Sequence, residues 1–131
     1  MATNESLRAI SMLANADLSA NQYRFVNMNT SGNTIAVTAA GERVVGVQQD
    51  KAGQQTGAAL EASEIGIDGV TLIILGATIT AGVEVKSDDE GRAVTAATPA
   101  LGHYVGGILL TGGVEGDVVS MLIRNYEQAT T

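Results

Sequence analysis

A five-residue string occurs twice in this chain. Ala36-Val37-Thr38-Ala39-Ala40 returns as Ala93-Val94-Thr95-Ala96-Ala97, and the segments around it return in the same order. Leu18-Ser19-Ala20-Asn21 precedes the first copy, and Ile79-Thr80-Ala81-Gly82 precedes the second. Val44-Val45-Gly46-Val47 follows the first, and Tyr104-Val105-Gly106-Gly107 follows the second. Gly53 and Gly113 each lie seven residues beyond a glycine of that last pair, Gly46 and Gly106. An ordered series of matches at a fixed period is the signature of a structural repeat. It predicts two copies of one three-stranded unit, over residues 18–53 and 79–113, with three extra residues around Pro99 in the second. A three-stranded sheet has one apolar face to hide, and two such faces can cover one another. The expected fold class is therefore all-β, a small β-barrel or two-sheet sandwich with an N-terminal arm.

Local composition agrees. Valine, isoleucine and threonine fill short runs, and Gly, Asn and Asp cluster between them, the pattern of strands joined by turns. Candidate strands cover 23–28, 34–39, 44–49, 57–62, 70–75, 83–86, 93–96, 104–110 and 118–124. Segments 29–33, 88–91 and 112–117 carry glycine beside Asn or Asp and read as hairpin loops.

Residues 1–16 read differently. Leu7, Ile10 and Leu13 fall at helical spacing, with Asn4 or Ser6 available to cap. So short a helix is marginal alone. Either it packs on the domain's own sheet, or the segment is an arm that orders on a partner. The domain organisation that follows is an arm over 1–16, one β-rich domain over 17–126 and a frayed tail over 127–131.

Composition excludes several chemistries. The 131 residues carry a net charge of −7 and no cysteine, so there is no disulfide framework, thiolate metal site or cysteine nucleophile. Phe25, Tyr23, Tyr104 and Tyr126 are the only aromatic residues, so the core is aliphatic. The acidic balance argues against nucleic acid, whose binding depends on Lys and Arg neutralising phosphates. Neither lysine lies in a phosphate-binding loop. No basic segment followed by an apolar run opens the chain, and the apolar stretch 70–77 is well short of the ~20 residues that span a bilayer. A soluble chain made in a cytoplasm, with no membrane partner, is the expectation.

Residues with reactive side chains are few. His103 is the single histidine, beside a strand, and a structural hydrogen bond is its favoured role. Asp88-Asp89-Glu90 is the densest acidic run. Aligned as an EF-hand loop on Gly91, it puts Lys86 and Ala97 at the two key ligand positions, which fails. Glu61 and Glu64 could form a glycosidase pair, but the aromatic platforms of a sugar cleft are wanting. Gly106-Gly107 and Gly112-Gly113 precede strands rather than helices, so close packing explains them better than phosphate binding. The expected chain is not an enzyme and needs no cofactor or metal.

Four segments in order bring a known family into view. They are 16–26 (Ala-Asp-Leu-Ser-Ala-Asn-Gln-Tyr-Arg-Phe-Val), 43–50 (Arg-Val-Val-Gly-Val-Gln-Gln-Asp), 76–94 with Gly76-Ala77-Thr78-Ile79-Thr80-Ala81-Gly82, and 105–119 with Val105-Gly106-Gly107-Ile108-Leu109 and Gly116-Asp117-Val118-Val119. Across residues 16–124 the chain resembles the capsid cement, or head decoration, proteins of tailed bacteriophages. The resemblance implies a homotrimer on the outside of the virion head. It would clamp junctions between subunits of the major capsid protein and stabilise the expanded shell, with no catalytic residue to carry over. On this reading Leu7, Ile10 and Leu13 of the arm contact the capsid, and removing residues 1–16 weakens head binding while the domain stays folded. The alternative is a small β-barrel carbohydrate- or receptor-binding module of a virion fibre.

Overall fold

The computed structural model describes residues 7–51, 62–96 and 103–128. Nine strands form one curled antiparallel sheet: β1 (Leu7–Leu13), β2 (Phe25–Met28), β3 (Thr34–Ala36), β4 (Gly46–Gln48), β5 (Ala62–Ile74), β6 (Glu84–Ser87), β7 (Ala93–Thr95), β8 (Tyr104–Leu109) and β9 (Val118–Glu127). The spatial order is β3-β2-β4-β5-β9-β8-β6-β7, and β1 adds to β5 beside this path. All-β architecture is as the turn and strand chemistry predicts.

The register shows why the sequence repeats, and shows that the repeat is larger than three strands. In the first half β1 pairs with β5, β5 with β4, β4 with β2 and β2 with β3. A parallel bridge from Ala14 to Thr34 then returns from β3 to the end of β1. In the second half β5 pairs with β9, β9 with β8, β8 with β6 and β6 with β7. There the bridge from Leu75 to Ala93 returns from β7 to the end of β5. Each half is thus a closed ring of five short strands. The long strand β5 belongs to both. Its N-terminal half completes the first ring, between β1 and β4, and its C-terminal half opens the second, against β9.

Hydrogen bonds match pair by pair. Asn15 N donates to Thr34 O at 2.9 Å, and Gly76 N donates to Ala93 O at 2.8 Å. Tyr23 N donates to Gln48 O at 2.7 Å where Gly82 N donates to Leu109 O at 2.8 Å. The hairpin tips match as well. Asn29 Oδ1 accepts from the N–H groups of Ser31 and Asn33, and Asp88 Oδ1 accepts from those of Glu90 and Arg92. These Asx turns are the local device that makes each hairpin.

Three sequence expectations are corrected by this register. Residues 7–13 form a strand, not a helix. Leu7, Ile10 and Leu13 oppose Gly69, Ile65 and Ala62 of β5. Pairing with a long neighbour along the whole strand outweighs a weak helical pattern. Second, the recurring pentapeptide is not in structural register. Ala36 opposes Val26, whereas Thr95, not Ala93, opposes Val85. Likewise Gly46 matches Gly107, not Gly106. Slippage by two in β7 keeps each side chain on its own face, so the string repeats without the positions coinciding. Third, the C-terminal end is ordered as far as it is described. Glu127 closes β9 opposite Tyr104, and Gln128 is buried, its Nε2 donating to Ala96 O at 2.7 Å. The expected strand 57–62 lies outside the described residues apart from Ala62, which begins β5.

The main core lies in the second ring and the seam between rings. Ile73, Leu75, Ile79, Val85, Ala93, Leu109, Val119 and Met121 cluster with Phe25, Val37, Val44 and Val47 of the first half.

Candidate docking surfaces

The two rings join through a plug and a socket. The plug is one face of β3-β2-β4, carrying Phe25, Val37 and Val47, all buried. The socket is on the second ring. Phe25 N donates to Gly91 O at 2.7 Å, Gly41 N donates to Ser87 O at 2.8 Å, and Tyr104 N donates to Gly41 O at 2.9 Å. The ring of Phe25 lies against Gly106, where a Cβ would stand 2.4 Å from Cε1. Only glycine admits an aromatic ring this close to the backbone. His103 sits on the same seam against Gly41, and Lys86 Nζ donates to its Nδ1 at 2.9 Å. The histidine holds the seam, as its position beside a strand predicts.

Because the rings are copies, each has a socket. The first ring's counterpart of Lys86, Ser87, Tyr104, Val105 and Gly106 is Asn27, Met28, Arg43, Val44 and Val45. These five residues line an open groove of about 280 Å³. Nothing in the described chain fills it. Asn27 Nδ2 donates to Glu42 Oε2 at 2.7 Å, and Glu42 Oε1 accepts from the N–H groups of Thr38 and Ala39. Arg43 forms no ion pair or hydrogen bond among the described residues, and it is exposed.

Each ring also has a plug position. The second ring's counterparts of Phe25 and Val47 are Glu84 and Ile108. Beside them stands Tyr126, 43% exposed, whose hydroxyl donates to the Glu84 carboxylate. This bond, with partial desolvation and the Glu84 charge, raises the tyrosine above its usual titration range. The adjoining outward face of β5 and β9 is mostly apolar: around Ser120, Leu72 and Val118 are 40% and 46% exposed, and Val70, Ile74 and Leu122 are half-buried. At matching positions of the first ring stand Ser11, Ala62, Ala9, Leu13 and Gly66. The fold therefore does not demand a large apolar side chain at each of these positions.

The predicted site residues spread apart. Leu7 packs partly on the core, while Ile10 and Leu13 are exposed at 41% and 45%. Strand geometry turns residues three apart to opposite faces, so Ile10 and Leu13 share no single patch. The acidic run is a turn device: Asp88 accepts from Arg92 Nε at 2.9 Å, and Arg92 also reaches Glu90 and Glu115, each at 3.4 Å. Glu64 is exposed in β5, and Glu61 lies outside the described residues. Among the described residues no group of three His, Asp or Glu side chains could hold a metal ion, and no helix is long and apolar enough to cross a membrane. The groove and its plug were missed by sequence reasoning. The signal available was the repeat, continued from residue contents to residue contacts.

Comparison with known proteins now adds one finding. The fold is shared with a phage head-fibre base. The N base of head fiber gp8.5 in bacteriophage phi29 superposes with a TM-score of 0.68 over 95% of this chain and 100% of that one, at 16% identity. No protein-family model and no curated protein matches the chain. At that identity the likeness speaks for the fold, and the head-fibre base gives the two-ring architecture a precedent across nearly the whole chain.

Proposed function

We propose that this chain is a non-enzymatic structural protein of a tailed-phage virion, seated on the outside of the head where major capsid subunits meet. The observation that carries the reading is the fold shared with a head-fibre base, over nearly all of this chain and all of that one. The ordered segments that resemble cement proteins support the same placement. The physical logic is adhesion. Packed DNA pushes outward on a filled head, and a clamp across a subunit junction adds contact energy that must be lost before the junction opens. Several modest contacts held together act through effective concentration, so none needs to be tight alone. A homotrimer offers three such contacts. The open groove and the apolar face of β5 and β9 are surfaces of the right kind, since large exposed apolar patches mark interaction sites.

The test is reconstitution. Purified chain is mixed with expanded heads that lack it, and bound copies are counted after sedimentation. Saturable binding, with heads that withstand more heat before releasing DNA, is the expected result. Heads that bind nothing, or that are equally robust without the protein, sink the reading. A carbohydrate- or receptor-binding fibre module is the second reading, favoured because the structure that shares this fold is the base of a head fiber. It predicts glycan-array binding by a chain that purified heads do not retain.

A further inference from the structure

We infer that copies of this chain join head to tail, the Glu84–Ile108–Tyr126 surface of one copy entering the groove formed by Asn27, Met28, Arg43, Val44 and Val45 of the next. The occupant is a second copy because the chain already contains this contact once. Its first ring presents Phe25 and Gly41, and its second ring receives Phe25 with Gly91 and Gly106 and Gly41 with Ser87 and Tyr104. The matched receiving surface on the first ring is open, and the matched presenting surface on the second ring is solvent-facing. A two-ring chain that joins its rings this way leaves one socket and one plug unused. A second molecule supplies both.

Charge agrees with this pairing. Where the internal contact sets Phe25 against Gly106, the open surfaces carry Glu84 on the plug and, in the socket, Arg43 two places before Val45, the Gly106 counterpart. Arg43 makes no salt bridge inside its own chain among the described residues. Glu42, the nearest acid in sequence, is engaged by Asn27 and by two backbone N–H groups. The exchange of an apolar anchor for an acid, with an arginine on the opposite side, keeps the outer contact soluble when open and specific when closed. Tyr126 supplies the aromatic anchor, and Tyr and Arg are the residue types that dominate interface energetics. Such a contact is heterologous: it closes into a ring when the rotation per copy divides a circle, and otherwise runs on as a filament. Three copies in a ring would set six like rings in a circle.

This deepens the assembly reading above, but its test needs no heads, so the two fail separately. The full chain is examined by sedimentation equilibrium over a wide concentration range. The wild-type chain is expected to form a closed multimer. Glu84→Arg and Arg43→Glu, each alone, should weaken assembly by about tenfold or more, and the double variant should recover most of the loss. Circular dichroism and melting of every variant check that the fold is kept. A wild-type chain that stays monomeric at all concentrations overturns the inference. So do single variants that assemble normally, or a double variant no better than the singles.

Discussion

The two rings have one topology and different interiors. In the second, the inward positions hold Leu75, Val85, Leu109, Val119 and Met121. The matching positions of the first hold Ala14, Val26, Gln48, Ser63 and Ile65. Polar groups buried there must find partners. Gln48 Nε2 donates to Leu18 O at 2.8 Å and Asp50 O at 2.7 Å, and Ser63 Oγ donates to Asp50 Oδ1 at 2.8 Å. The second ring is held by apolar packing and also receives the plug of the first. The first is held by directed bonds and by its plug. One fold thus tolerates two kinds of interior, because the ladder hydrogen bonds that define it do not depend on what fills it.

The largest expected effect comes from removing β1. Deletion of residues 1–14 opens the first ring and exposes the β5 edge that β1 covers. We expect a melting temperature lower by roughly 10 °C or more, corresponding to several kcal/mol. This reverses the expectation, drawn from sequence, that a free arm can be cut away. An unchanged melt would show that the rings do not need closure.

Exchanging interior residues between the rings comes next. Leu109→Gln places the first ring's residue in the second, where no matching acceptors stand ready, and should destabilise by about 2–4 kcal/mol. Gln48→Leu should change stability by only about 1 kcal/mol, since it loses two bonds but also removes Oε1, which has no partner among the described residues. Equal effects in urea denaturation would mean that the interiors do not differ in kind.

A smaller contrast concerns matched turns. Tyr23 has φ 61°, the only positive φ outside glycine among the described residues, and its counterpart is Gly82 at 86°. A left-handed L-residue is strained by about 1–2 kcal/mol. Tyr23→Gly should therefore gain up to about 1 kcal/mol, and Gly82→Ala should lose about as much. Opposite signs in paired melts sharpen the equivalence, and equal signs break it.

The smallest effect is a pH dependence confined to the second ring. Tyr126 titrates above its ordinary value of 10.0 because its hydroxyl donates to Glu84. Its folded value is the higher one, so its contribution is complete below about pH 10 and fades as pH climbs through that higher value. The melting difference between wild type and Tyr126→Phe should shrink over that alkaline range. A constant difference would assign the effect of Tyr126 to packing alone.

Much of this was legible from residues. Asn29 and Asp88, each three places before a glycine, announce the two hairpins. The strand positions follow from Val, Ile and Thr runs, and the repeat announces the duplicated topology. What stayed hidden has physical causes. β1 is a sheet-edge strand with residues exposed on both faces, so its apolar side chains need not alternate, and their spacing of three imitates a helix. β5 is twice as long as the run 70–75 suggests because Glu64, Gly66 and Asp68 break its apolar character while its backbone stays paired. The plug and socket needed contacts as well as residue contents, since Phe25 and Gly106 stand in different halves of the chain and meet only in the folded structure.

The shared strand has a mechanical consequence. β5 runs as one strand from one ring into the other, and its backbone carries a bulge at Ile67 and a left-handed Gly69, φ 95°, where it crosses. A tensile load applied between the rings is carried lengthwise through a single extended backbone flanked by ladders on either half. Those ladders resist by sliding, with many bonds strained together, rather than by unzipping one at a time.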